Sequence, residues 1–80
     1  MIHTKTYVTA YIVNRDGRLI SELAGFDIDD LEALREMLPF LSCGDILRCF
    51  TKIGFVDTYI INIVEYNNWP SIIKLEKLAA

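Results

Sequence analysis

Residues 6–23 constrain the fold more than any other part of the chain. Segments 6–13 and 19–23 are rich in β-branched and aromatic residues, and Asn14, Arg15, Asp16, Gly17 and Arg18 stand between them. Asp16 followed by Gly17 supplies the left-handed backbone position that a tight hairpin needs, and Asn14 suits the first turn position. This reads as a hairpin with a three-residue loop, Arg15 to Gly17, and with Gly17 in the left-handed bulge position. Asn14 then faces Arg18, and Ile12 faces Ile20. The chain starts antiparallel, and everything after it has to be built around that pair.

Eighty residues make one domain near the lower limit of independent folding, expected to bury about 60% of its unfolded surface. The apolar share is 52%, above the roughly 45–50% of ordinary domains. A surplus of apolar residues on a chain with little interior leaves some at the surface, and exposed apolar patches mark interfaces. A homodimer or an obligate protein partner is therefore expected. The net charge of −3 gives no overall basic footprint for nucleic acid. The longest nearly uncharged stretch, 53–64, contains Asp57 and is too short to span a bilayer. No apolar run follows Met1 to Lys5, so no signal peptide is read there. Cys43 and Cys49 do not form a CxxC pair, and reduced thiols in a cytoplasmic protein are the simpler reading. Lys77, Leu78, Ala79 and Ala80 resemble residues encoded by a common cloning site. This sets the expected domain at 1–76, with 77–80 as a vector-derived tail.

A helix is expected next. Asp27 is a good N-cap, Asp30 can reach back as in a capping box, and Phe26 with Leu31 can form a hydrophobic staple. Ile28, Leu31, Leu34, Leu38 and Leu41 recur at helical spacing, and Pro39 ends the regular helix at Met37 or Leu38. Segment 45–53 fits either a helical stripe (Ile46, Leu47, Phe50, Ile53) or a strand in which Arg48 and Lys52 alternate with Cys49 and Thr51. The strand is favoured. Residues 54–57 read as a turn and 58–66 as a strand, with Ile61 and Ile63 on one face and Ile60, Asn62 and Val64 on the other. Asn67 and Asn68 close it, and 71–76 reads as a short edge strand or one helical turn. The expected fold is α+β in ββαββ order: an antiparallel four-stranded sheet, one helix packed on one face, and a short C-terminal extension. One helix cannot cover both faces, so the other face is where a partner is expected.

The chemistry-bearing residues are few. There is no phosphate loop, GxSxG or HExxH motif, and no cofactor site is expected. His3 is the only histidine and sits at the terminus, without the oriented partners that a nucleophilic site needs. Two cysteines and one histidine at these spacings do not make a zinc site. Asp27, Asp29, Asp30, Glu32 and Glu36 gather around the expected helix, opposed only by Arg35. They read as a capped helix with a solvated outer face, or as an acidic face that docks a basic groove. Lys5, Arg48 and Lys52, with Tyr7, Tyr11, Phe50 and Tyr59, could form an aromatic platform for single-stranded nucleic acid if their faces coincide. Tyr7, Tyr11, Tyr59, Ile61 and Trp69 are the expected self-association or partner residues of the sheet face, with Trp69 as a binding anchor or, equally, a plug at one end of the core.

These features point to a non-enzymatic interaction module that self-associates through its sheet. One form of it is a phage or mobile-element inhibitor, of the anti-CRISPR or anti-restriction kind, that docks its acidic helix face on a host nucleic-acid-binding complex. The alternatives are a single-stranded nucleic-acid binder using the aromatic face, and a small-molecule-binding or enzymatic homodimer with a site between subunits.

Overall fold

The computed structural model describes residues 6–78 except Asn67 and Asn68, and only the backbone at Tyr66, Trp69 and Pro70. His3, Lys5, Ala79 and Ala80 lie outside the described residues. The elements are β1 (Thr9–Val13), β2 (Leu19–Ala24), α1 (Glu32–Glu36), a 3-10 turn (Leu38–Phe40), β3 (Ile46–Phe50), β4 (Val56–Tyr66) and β5 (Trp69–Lys77). They form one sheet in the order β2-β1-β3-β4-β5, with every neighbouring pair antiparallel.

The sheet has five strands, not the expected four, and the packed helix is absent. The fifth strand comes from the C-terminal segment, which pairs with β4 from Val64–Ile72 to Tyr59–Lys77. The domain boundary expected at residue 76 thus runs through a strand. The helix expected from Ile28 to Leu38 shrinks to five residues. Asp27 does not cap it. The Asp27 carboxylate accepts the Asp29 N–H at 2.9 Å and its carbonyl accepts the Asp30 N–H at 3.0 Å, which closes a turn upstream. Only Glu32, Ala33, Leu34, Arg35 and Glu36 combine good helix propensity with freedom from Asp-driven turns and from Pro39.

The hairpin carries its expected turn. Asn14 Oδ1 accepts the N–H groups of Asp16 and Arg18, each at 2.9 Å. The Asn14 N–H donates to the Arg18 carbonyl at 2.9 Å, and Gly17 takes φ +82°. A bulge between Ile12 and Val13 shifts the rest: Ile12 faces Ser21 and Val13 faces Leu19, which leaves Ile20 as the extra residue. The turn expected at 54–57 lies three residues earlier, closed by the Gly54 N–H on the Thr51 carbonyl at 3.1 Å. The Thr51 N–H donates to the Phe55 carbonyl at 2.9 Å, and β4 is already under way at Val56.

Among the described residues, one face of the sheet is covered and the other is not. Ala10 and Ile12 of β1, Leu47 and Cys49 of β3, Tyr59 and Ile61 of β4 and Ile73 of β5 form a single buried cluster with Tyr7, Phe26, Leu34 and Leu41. The connection from Phe26 to Leu41 supplies the cover, and Ile28, Leu31, Met37 and Leu38 pack around its buried members. Ile12, Leu34, Leu47 and Ile61 are fully buried, and each such side chain stabilises by about 1.5–3 kcal/mol. Truncating Leu47 to Ala is expected to cost about 2–5 kcal/mol in urea denaturation. Ile53→Ala, at a position 82% exposed, should change stability by less than about 0.5 kcal/mol. Equal effects would show that the covered face is not the core.

Candidate functional site

The uncovered face follows from alternation along the strands. Register places Val13, Ile46 and Ile60 in one row, Tyr11, Arg48 and Thr58 in the next, and Thr9, Phe50 and Val56 in a third. Beyond the end of β3 the face continues over β4 and β5 with Asn62 beside Lys74 and Val64 beside Ile72. None of these residues belongs to the core cluster or packs against it. Thr9, Val13, Ile46, Thr58, Ile60 and Val64 are half-buried, while Arg48, Val56 and Ile72 are exposed. Tyr11 and Phe50 meet edge to face, centroids 5.5 Å apart, and the Arg48 guanidinium lies 5.8 Å from the Phe50 centroid. The Tyr11 phenol is raised above its ordinary value, first by its hydrogen bond to Glu22 and then by the Glu22 charge. Ile53 and Phe55, at the β3–β4 turn beside this face, are 82% and 67% exposed.

Of the residues expected on the association face, only Tyr11 is there. Tyr7, Tyr59 and Ile61 are buried on the covered side. Trp69 begins β5, and its side chain lies outside the described residues. Tyr7 and Tyr11 would share a face in a regular strand, but the alternation breaks at Val8. Its N–H donates to Phe50 of β3 at 2.9 Å, while its carbonyl accepts from Gly25 beyond β2 at 3.0 Å. The break turns Tyr7 inward against Phe26, with ring centroids 6.5 Å apart.

Inside, Tyr7 anchors a polar cluster. Its hydroxyl donates to Asp57 Oδ2 at 2.7 Å and lies 3.2 Å from the Tyr59 hydroxyl. Lys77 Nζ closes on Asp57 Oδ1 at 3.5 Å. Burial, followed by the hydrogen bonds to Tyr59 and Asp57, holds the Tyr7 phenol well above its ordinary value. Burial, with the Asp57 charge adding to it, pushes the Cys49 thiol up to about 12. A thiol and a phenol held neutral are poor nucleophiles and poor bases at neutral pH, and the Tyr7–Asp57 bond ties the segment before β1 to β4.

The acidic residues are dispersed by their local bonds. Asp29, Asp30, Glu32 and Glu36 are exposed and Asp27 is half-buried. Asp27 and Asp30 spend carboxylate oxygens on the N–H groups of Asp29 and Glu32. Only Glu32 and Glu36 stand on α1. The continuous acidic helix face is therefore replaced by turn carboxylates beside a single helical turn.

Cys43 is exposed, and its sulfur meets the β4 backbone: it accepts the Ile63 N–H at 3.2 Å and its thiol donates to the Ile63 carbonyl at 3.3 Å. With Leu41, Ser42, Ile63 and Glu65 it lines an open groove of about 450 Å³. Sequence reasoning missed this use of the thiol, since nothing local marks Cys43 as lying against Ile63. Among the described residues no three His, Cys, Asp or Glu side chains converge to hold a metal, and no helix is long and apolar enough to cross a membrane. No family model, curated protein or solved structure matches the chain.

The buried acids give a pH signature. Unfolding returns Cys49 toward 9.0 and Tyr7 toward 10.0, so above those values the unfolded chain releases protons that the folded chain keeps. Their contribution to stability is complete below about pH 9 and is lost as pH rises toward about 12. Urea midpoints should fall between about pH 9 and 11, and the fall should be shallower in Cys49→Ala and in Tyr7→Phe. A wild-type midpoint that stays level over that range would remove this account of the cluster.

Proposed function

We propose that this protein is a non-catalytic interaction module that binds another protein through the open face of its sheet. The carrying observation is that face: Val13, Ile46, Ile60 and Val64 with Tyr11 and Phe50, uncovered among the described residues, whose core lies on the other side. An apolar centre with aromatic side chains and an arginine is the composition of protein interfaces. Arg48 and Lys74 are offset by Glu22 and Glu76, so the surroundings carry little net charge, which suits a protein better than a phosphate backbone. With Tyr7 and Tyr59 in the core, a base-stacking platform would be left with Tyr11 and Phe50, whose rings already engage each other and Arg48.

An inhibitor of a host complex is compatible with such a module, with the sheet rather than the acidic segment as its contact surface. The test compares three baits in capture from the source cell: the wild type, Tyr11→Glu with Ile60→Lys, and Asp29→Lys with Glu32→Lys. A protein held by the wild type and the acidic-segment variant, and lost from a folded sheet-face variant, supports this reading. Loss only on reversal of the acidic segment would move the contact there. Tight, salt-sensitive binding of mixed single-stranded oligonucleotides would favour the nucleic-acid reading instead.

A further inference from the structure

The strand order leaves β2 and β5 as the edges of the sheet, and they are not equivalent. β2 is a six-residue strand, bulged against β1 and ended by Gly25 at φ +63°. Short, bulged edges resist strand addition. β5 is a nine-residue strand, and from Ile72 to Lys77 it keeps unbroken register with β4. Thr58 of β4 faces β5, since its carbonyl accepts the Leu78 N–H at 2.8 Å. Ile61 faces away from β5, bonding Asp45 and Gly44. By alternation, Ile72, Lys74 and Glu76 bond to β4, while the N–H and C=O groups of Ile73, Leu75 and Lys77 point out from the free edge. Among the described residues no strand pairs with that side.

The side chains along this edge form a chemical palindrome. On the open face they read Ile72, Lys74, Glu76, Leu78: apolar, positive, negative, apolar. Ile72 is 44% exposed and Leu78 is 39% exposed. We propose that a second copy of this chain adds antiparallel across β5, with Leu75 opposite its symmetry mate, so that the two sheets become one continuous sheet. In this register Lys74 faces the partner's Glu76 twice, and Ile72 faces the partner's Leu78 twice. On the covered side Leu75 meets Leu75 of the partner subunit, and Ile73 lies along the aliphatic stem of Lys77 of the partner subunit. The outward backbone groups pair in full, Ile73 with the partner's Lys77 and Leu75 with the partner's Leu75.

Neighbouring registers are worse. Sliding the copies to set Lys74 opposite Lys74 of the partner subunit puts like charges in direct contact, which destabilises an antiparallel pair. One step further sets Ile73 opposite its mate and leaves Lys74 facing the partner's Ile72. The charge pattern therefore selects one register, and the two-fold axis, normal to the sheet, keeps both open faces on the same side. The dimer is independent of which protein that face binds.

The test is sedimentation equilibrium of the full chain, with amide exchange read in parallel. The wild type should form a dimer, with protection at the Ile73, Leu75 and Lys77 amides that rises with concentration. Lys74→Glu and Glu76→Lys each replace two opposite-charge pairs with like pairs and should weaken dimerisation by about tenfold or more. Both positions are exposed, so the variants should melt at the temperature the wild type shows when diluted to monomer. The double exchange, Lys74→Glu with Glu76→Lys, should restore the dimer. A wild type that is monomeric at every concentration overturns the proposal. So does a dimer indifferent to both single reversals, which would place self-association on the open face or elsewhere. Neither result bears on partner capture by the open face.

Discussion

A five-stranded sheet presents two faces, and among the described residues only the connection from Phe26 to Leu41 is long enough to cover one. The rest of the structure depends on that shortage. The cover enters the buried cluster through Phe26, Leu34 and Leu41, and it does so as turns and short helical pieces. A straight helix of the same length would bury one stripe. The irregular path instead lets residues at Phe26, Ile28, Leu31, Leu34, Met37, Leu38 and Leu41 all turn inward. The helix expected from capping signals gives way because burial outweighs propensity in so short a segment. Asp27 and Asp30 still satisfy backbone donors, but those of turns.

The polar cluster around Asp57 has a cost and a compensation. A buried carboxylate is unfavourable unless it is well bonded. Here Tyr7 donates to it at 2.7 Å and Lys77 approaches at 3.5 Å from the end of β5. These contacts join the two extremes of the described chain to the start of β4. Tyr7 precedes β1 and is buried against Phe26, while Lys77 closes β5 with its side chain exposed. Removing the Tyr7 hydroxyl would withdraw a donor from a buried charge, which costs more than losing the same bond at the surface.

How much was legible in the sequence depended on whether the deciding interaction was local. The Asn14–Gly17 turn was readable because its bonds lie within a few residues. The two faces of β4 were readable because alternation places Ile61 and Ile63 opposite Ile60, Asn62 and Val64. β5 was open between strand and helix, since Lys74, Leu75 and Glu76 are good helix formers and only pairing with β4 decides their conformation. The break at Val8, which sends Tyr7 to the core and leaves Tyr11 outside, depends on Phe50 and Gly25, both distant in sequence. The open face as a feature was legible from the shortage of cover. Its membership was not, because one irregular residue reverses the side of everything before it.

Edge and face offer association of two physical kinds. A strand edge supplies directional backbone bonds whose specificity comes from register, and register here is written in two opposite charges and two flanking apolar residues. A sheet face supplies area, with specificity from shape and from the few groups such as Arg48 that resist dry burial unpaired. Pairing through β5 covers little of the open face, so one mode does not consume the other. It also sets two copies of that face side by side on one surface. A partner contacting both copies would then hold two linked interactions, and the second contact is favoured by its high effective concentration. Paired as proposed, a small chain with too little cover for its sheet would gain breadth of contact surface from repetition rather than from length.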